Sequence, residues 1–290
     1  MIYKTIGVVG GGTMGQGIAE MLASRGLEVL LAEKTPEKLD RALDMIEISL
    51  DKQIERWALT VPEKKFILSK IRKAADLQEM VQCDMVIETI TEDMNAKKHV
   101  FFQLNKFCSP NVILASNTST LSLTEIAAVM TSPERVIGLH FLHPVAKIDL
   151  VEIIRGMKTS DETFEQTKQF VDEVIQKKSI KVYESPGFIT TRLMTILINE
   201  ALHTLSERVA SAEDIDTAMR IGYDFKHGPL EMCDRFGLDS VLAALEVMFR
   251  ESGDIKYRPS HLLKQMVRAG HLGVKSGEGF FKYDKDGDRI

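Results

Sequence analysis

Short β-branched runs alternate with longer stretches of helical period along most of the first two-thirds of the chain, and this alternation most constrains how it can fold. Candidate strands are Thr5–Val9, Val29–Leu31, Met85–Ile90, Val112–Ala115, Val136–Leu139, Leu150–Ile154 and Ile180–Val182. Strands separated by amphipathic helices build a doubly wound, mostly parallel sheet covered on both faces. One connection is oversized. Apolar residues at Leu39, Ala42, Leu43, Ile46, Leu50, Ile54 and Trp57 draw a helical stripe of about five turns. Thr60-Val61-Pro62 breaks it, and a shorter helix carries Phe66, Ile67 and Ile71. A helical hairpin is therefore expected to project between the second and third strands.

After Ser185-Pro186-Gly187 the strand patterns stop. Helices are expected from Phe188 to near Ala210, from a Ser211 cap with the acidic first turn Glu213-Asp214, after Gly228-Pro229 and after Pro259. The expected architecture is an α/β domain over 1–183 followed by an all-α domain over 184–290, the latter serving substrate binding and dimerisation. Apolar stripes in a helical domain of that size suggest burial against a second copy, so a homodimer is expected.

Gly10-Gly11-Gly12-Thr13-Met14-Gly15 follows the apolar strand Ile6-Gly7-Val8-Val9 and precedes the helical run Ile18, Ala19, Leu22, Ala23. Gly10 allows the tight turn, Gly12 lets backbone approach a pyrophosphate, Gly15 lets helix pack on strand, and the helix N-terminus faces the anion. The next strand leads to Glu33, 18 positions after Gly15, whose carboxylate would accept bonds from the adenine ribose hydroxyls and repel a 2′-phosphate. Strand, loop, helix and acid in this order read as a Rossmann dinucleotide site taking NAD rather than NADP. A glycine turn beside a solvated glutamate is the bland alternative.

Of the 290 residues, 44% are hydrophobic and 27% charged, which suffices for a real core and excludes disorder as the main state. With 37 basic residues against 42 acidic ones, the net charge of -5 gives no electrostatic reason to expect nucleic acid or an anionic membrane as partner. No apolar run approaches the ~18 residues of a spanning helix. The opening Met-Ile-Tyr-Lys enters a strand without the apolar middle of a signal peptide, so a soluble, cytoplasmic protein is expected. Cys83, Cys108 and Cys233 form no CxxC pair and no cluster with histidine, so neither a disulfide framework nor a metal site is expected.

Seven runs carry a resemblance beyond the glycine loop: residues 10–19 (GGGTMGQGIA), 116–119 (SNTS), 138–141 (GLHF), 150–152 (LVE), 186–189 (PGFI), 213–216 (EDID) and 277–281 (GEGFF). In that order, over essentially the whole chain, they resemble the successive motifs of the 3-hydroxyacyl-CoA dehydrogenases. An alcohol carbon that loses hydride must also have its hydroxyl proton removed, and imidazole titrates near neutrality. The resemblance implies His140 as that acid/base and Glu152 as the carboxylate orienting it. Read from residues alone, a structural role for His140, one of seven histidines, stays open.

The resemblance also places the Ser119 hydroxyl on the substrate oxygen, where the residues alone read as an N-cap for a helix Leu121–Met130. It implies cofactor contacts at Thr13, Met14, Glu92, Lys97, Asn117 and His143, and an active-site position at Thr191. By themselves, Glu92 and Lys97 read as solvated charges at a helix start.

Two positions depart from the family pattern. His143 stands where asparagine is usual before Pro144, and Thr191 stands where another asparagine usually offers an amide. The hairpin end, usually rich in lysine and glycine, reads Ile54-Glu55-Arg56-Trp57-Ala58-Leu59-Thr60. The resemblance therefore implies NAD-dependent oxidation of a 3-hydroxyacyl thioester with two carriers open. The acyl-CoA ester, as in 3-hydroxybutyryl-CoA, is the family default. An acyl carrier protein is the alternative, as in the branch that oxidises glyceryl or seryl groups for polyketide extender units. A non-catalytic NAD-binding protein is the reading from another class.

Overall fold

The computed structural model describes residues 3–290 and divides into two compact units after Glu184. The first is built on an eight-stranded sheet: β1 (Thr5–Val9), β2 (Glu28–Ala32), β3 (Ile71–Ala74), β4 (Met85–Glu88), β5 (Ile113–Ser116), β6 (Val136–Phe141), β7 (Leu150–Arg155) and β8 (Lys178–Tyr183). Their order is β3-β2-β1-β4-β5-β6-β7-β8. All neighbours run parallel except β6 and β7. The reason is connection length. A parallel return needs a crossover of about a dozen residues or more, and residues 142–149 are too few, so the chain turns back and pairs antiparallel.

The order reverses at β1, where β2 and β3 lie on one side and β4 onward on the other. Ligands of open α/β sheets sit at the C-terminal strand ends near that point. The central strands are buried on both faces, which is why Val8-Val9, Val29-Leu30-Leu31 and Met85-Val86-Ile87 are continuous apolar runs rather than alternating ones.

Helix α1 (Thr13–Ser24) covers β1, and α2 (Pro36–Glu55) and α3 (Val61–Lys70) form the connection from β2 to β3. Here the structure corrects the sequence reading twice. Ile71 opens a strand rather than closing a helix, giving eight strands instead of seven; Ile71–Ala74 is a short edge strand whose middle, Arg72-Lys73, is exposed, so no β-branched run announces it.

The hairpin packs on α1, and its apolar stripe is shorter than expected. Leu39, Ala42, Ile46 and Leu50 join the core with Ile18 and Leu22 of α1, each fully buried aliphatic side chain contributing roughly 1.5–3 kcal/mol. The stripe ends there, because Trp57 is 96% exposed and left-handed at φ 57°. Thr60-Val61-Pro62 starts α3: Thr60 accepts from the Glu63 N–H while Glu63 reaches back to Thr60, a reciprocal cap.

Helix α4 (Met94–Phe107) follows β4, capped by Asp93. Helix α5 (Leu123–Ala127) is shorter than expected and is capped by Ser122, whose hydroxyl accepts from Glu125 N–H; Ser119 lies ahead of the helix and does not cap it. Helix α6 (Asp161–Gln169) leads into β8.

The second unit is helical: α7 (Thr190–Ser206), α8 (Ala212–Tyr223), α9 (Pro229–Phe236), α10 (Leu238–Ser252) and α11 (His261–Arg268). Ser211 caps α8 as its sequence indicates. Ile198, Leu202, Leu230, Leu245, Met248 and Leu263 meet in its core. Two buried acids organise it. Asp216 accepts the Leu230 and Glu231 N–H groups at the start of α9. Asp234 accepts from the Phe280 and Phe281 N–H groups and the Tyr283 hydroxyl, tying down the last segment. Burial pushes the Asp234 carboxyl up to about 6.

Candidate active site

The C-terminal ends of β1, β2, β4, β5 and β6 share one edge of the sheet, and most of the sequence-derived site residues gather there. At the end of β1, Gly10 takes φ 108°, and a Cβ on Gly15 would stand 1.8 Å from the Gly10 carbonyl oxygen. Only glycine fits either place. A Cβ on Gly12 would meet nothing within 4 Å, so that side of the loop is open. Gly12 and Thr13 are exposed and Met14 half-buried at the start of α1, which no side chain caps.

Thr89, just past β4, braces the loop by donating its hydroxyl to the Gly10 carbonyl at 2.7 Å. Glu33, one residue past β2, accepts the Gly11 N–H at 2.7 Å through Oε1 and the Lys34 N–H at 2.8 Å through Oε2. The loop thus presents an uncapped helix N-terminus, an open glycine face and a carboxylate fixed beside them. Those donors and that acceptor fit the pyrophosphate and ribose of a dinucleotide.

Farther along the edge, β6 and β7 place His140 directly opposite Glu152. Opposed residues of an antiparallel pair project from the same face. The His140 Nδ1 stands 2.5 Å from Glu152 Oε2, and its Nε2 stands 3.1 Å from Ser119 Oγ. Glu152 is fully buried and His140 4% exposed. With Glu152 ionised, Nδ1 donates to it and Nε2 is left as the basic nitrogen of the neutral ring, facing the serine. Serine, imidazole and carboxylate therefore form one continuous hydrogen-bonded line.

Behind this line lies a group of charges of which sequence reading names Glu92 and Lys97 but not Glu88. Glu88, at the end of β4, is fully buried and accepts from Lys97 Nζ at 2.7 Å, from Ser116 Oγ at 2.7 Å and from the Ile90 N–H at 2.7 Å. Burial pushes its carboxyl up, opposed by the Lys97 ammonium and these hydrogen bonds. Lys97, far from being solvated, is 1% exposed on the buried face of α4. Its Nζ also stands 3.5 Å from Glu92 Oε2.

Glu92, in turn, accepts through Oε1 from the Ser119 N–H, the Thr120 N–H and the hydroxyls of Thr118 and Thr120. Glu92 thus holds the loop that carries Ser119, and Lys97 joins Glu92 to the buried Glu88. An acid closing the otherwise apolar Met85-Val86-Ile87 is the sequence signal that could have found Glu88, since a carboxylate at such a place needs a partner.

Asn117 uses its side-chain carbonyl to accept the Phe141 N–H at 2.9 Å, lacing the ends of β5 and β6. His143 is exposed on the 142–149 return. That return touches α1, where a Cβ on Gly17 would stand 3.1 Å from Val145. Thr191 belongs to the second unit, in the first turn of α7, where its carbonyl accepts from the Thr195 hydroxyl. Among the described residues, no group of three or more histidine, cysteine, aspartate or glutamate residues is placed to hold a metal ion, and no helix is long and apolar enough to cross a membrane.

Residues 5–185 match the NAD binding domain of 3-hydroxyacyl-CoA dehydrogenase, and residues 187–283 match the C-terminal domain of the same family. A Bacillus subtilis protein named probable 3-hydroxybutyryl-CoA dehydrogenase is 41% identical over 98% of this chain and 99% of its own. A Deinococcus radiodurans protein of the same name is 43% identical over 96% and 99%. The solved (S)-3-hydroxybutyryl-CoA dehydrogenase PaaH1 of Ralstonia eutropha has a TM-score of 0.91 at 39% identity, covering 98% of this chain and 100% of that one. FadB2 of M. tuberculosis has a TM-score of 0.96 at 33% identity, with 98% and 100% covered. The cofactor of the first domain is NAD. The double match in order and the full-length likeness make this chain a member of the 3-hydroxyacyl-CoA dehydrogenase family.

Proposed function

We propose that the protein oxidises the 3-hydroxyl of a 3-hydroxyacyl-CoA thioester to the 3-oxoacyl thioester, and reduces it in reverse. The observation that carries this reading is the line from Ser119 through His140 to Glu152 at the edge where the glycine loop also opens. Nε2 of His140 takes the hydroxyl proton as the carbon–oxygen double bond forms, and Glu152 stabilises the resulting imidazolium. Ser119 donates its hydroxyl hydrogen to the substrate oxygen and holds it at Nε2. Bound NAD would supply the acceptor for the hydride leaving the same carbon.

Gly10, Gly12, Thr13, Met14 and Gly15 would hold the pyrophosphate, and Glu33 the adenine ribose. Asn117, His143 and Glu92 border the place left for the other end of the dinucleotide. Lys97 contributes from beneath through Glu88 and Glu92, its burial leaving it little surface to offer a ligand. Thr191 and the helical unit are assigned to the acyl thioester, and that unit to pairing with a second copy. Both substrate and cofactor are soluble metabolites, in keeping with a cytoplasmic enzyme.

The names of the relatives support CoA as carrier over an acyl carrier protein. Absorbance of reduced cofactor decides the matter, with 3-hydroxybutyryl groups offered in parallel on CoA and on an acyl carrier protein. Turnover on CoA with a higher kcat/KM is the expected result. Strong preference for the carrier protein would overturn the CoA assignment, and no turnover on either would leave an NAD-binding protein without this activity.

A further inference from the structure

The helical unit contains a cavity of about 360 Å³, lined by His203 and Ser206 of α7 and by Arg258, Ser260, His261 and Lys264 around the start of α11. Two permanent cations and two imidazoles converge there without a carboxylate among the lining groups. Neither Arg258, His203 nor His261 has an acidic partner within ion-pair distance among the described residues, and Lys264 has only Glu246, at 3.8 Å. Cations gathered with a single distant carboxylate among their partners repel one another, so the arrangement favours an anion between them.

The backbone adds to this. Ser260 occupies the capping position of the eight-residue α11 yet makes no side-chain hydrogen bond to it, although serine there ordinarily caps a helix. Ser260 is only 2% exposed, and its hydroxyl, on the cavity wall, has no partner among the described residues. The segment is nevertheless held fast. The buried Asn199 of α7 accepts the Ser260 N–H at 2.9 Å and donates to the Arg258 carbonyl at 3.1 Å. One amide therefore fixes the backbone that carries a buried hydroxyl and an uncapped helix N-terminus, with the exposed Arg258 on the same wall, a donor set suited to a tetrahedral oxyanion.

We propose that this cavity binds a phosphate group, either free or as a phosphate monoester. Arg258 would pair with two phosphate oxygens, Ser260 and the first-turn N–H groups of α11 would donate to another, and Lys264 would supply the remaining positive charge. The volume lies near the lower end of small-ligand pockets, so it has room for a short organic substituent on the phosphate as well as for the bare ion.

Calorimetric titration of the full-length protein with inorganic phosphate, and separately with glycerol 3-phosphate, tests this. Excess NAD keeps the glycine loop occupied, so the result does not depend on the catalytic reading. Saturable binding is expected, weakened by ~10-fold or more in Arg258→Gln and in Ser260→Ala. The exposed His261→Ala provides a variant with little risk to folding and should weaken binding too, while Lys158→Gln on the other unit should not. Tighter binding of the ester than of the ion marks a phosphorylated metabolite as the occupant, and equal binding marks phosphate itself. No saturable binding of either probe, or binding unaltered in Arg258→Gln, Ser260→Ala and His261→Ala, would overturn the proposal.

Discussion

His140 and Glu152 face each other across the single antiparallel pair of the sheet, imidazole against carboxylate at 2.5 Å, with the ladder of β6 and β7 fixing both backbones. Removing the imidazole should therefore remove the chemistry without disturbing the cofactor. His140→Ala is expected to lower kcat by ~10²–10⁴-fold with NAD affinity nearly unchanged in a binding titration. Glu152→Gln keeps the size but not the charge and should lower kcat by at least ~10²-fold. Wild-type turnover in either variant removes that residue from the reaction.

Glu33 receives the Gly11 N–H and so lies against the glycine loop. Glu33→Ala should weaken NAD and narrow its advantage over NADP, because the acceptor for the ribose hydroxyls and the charge repelling a 2′-phosphate disappear together. Parallel isotherms for the two cofactors check this, and identical curves before and after substitution would show that the acid reads no ribose.

Lys97 and Glu88 are a buried pair, and such pairs matter most when one member is removed. Lys97→Met leaves a carboxylate with no cation in the interior and should destabilise the fold by roughly 3–5 kcal/mol. Adding Glu88→Gln should recover much of that loss. A double-mutant cycle in denaturant measures the coupling, and additive single effects would argue against a paired role.

Asp234 makes stability depend on pH in a definite direction. Its carboxyl rises from an ordinary 3.8 to about 6 in the folded protein, so its contribution is fully present below about pH 4. Between 3.8 and about 6 the unfolded chain ionises while the folded one resists, and stability falls as pH rises through this window. Asp216 is raised by burial too and acts in the same sense. Asp234→Asn should lower Tm, since an amide NH2 is a donor only and in either orientation faces the Phe280 or Phe281 N–H, and should flatten the slope between about pH 4 and 6 in thermal melts. An unchanged slope would mean that Asp234 does not titrate there.

The parts of the fold legible in the chain were those written locally. The strand, glycine loop and helix from Thr5 to Ser24 depend on residues close in sequence, and both His140 and Glu152 lie on apolar strands that could be recognised one at a time. The Ile71–Ala74 strand escaped because it exists by pairing with β2, and its charged middle resembles a helix end. The burial of Lys97 escaped for a similar reason, since its partner Glu88 belongs to another element. Ser119 and Ser122 are both plausible caps in isolation; the fold uses Ser122 for the helix and leaves Ser119 to the histidine.

The brief return over residues 142–149 has an evolutionary corollary. By folding the chain back on itself, it puts His140 and Glu152 inside a single supersecondary unit, wholly within the first of the two units. Substitutions in the helical unit can then accumulate while the imidazole–carboxylate pair is inherited intact.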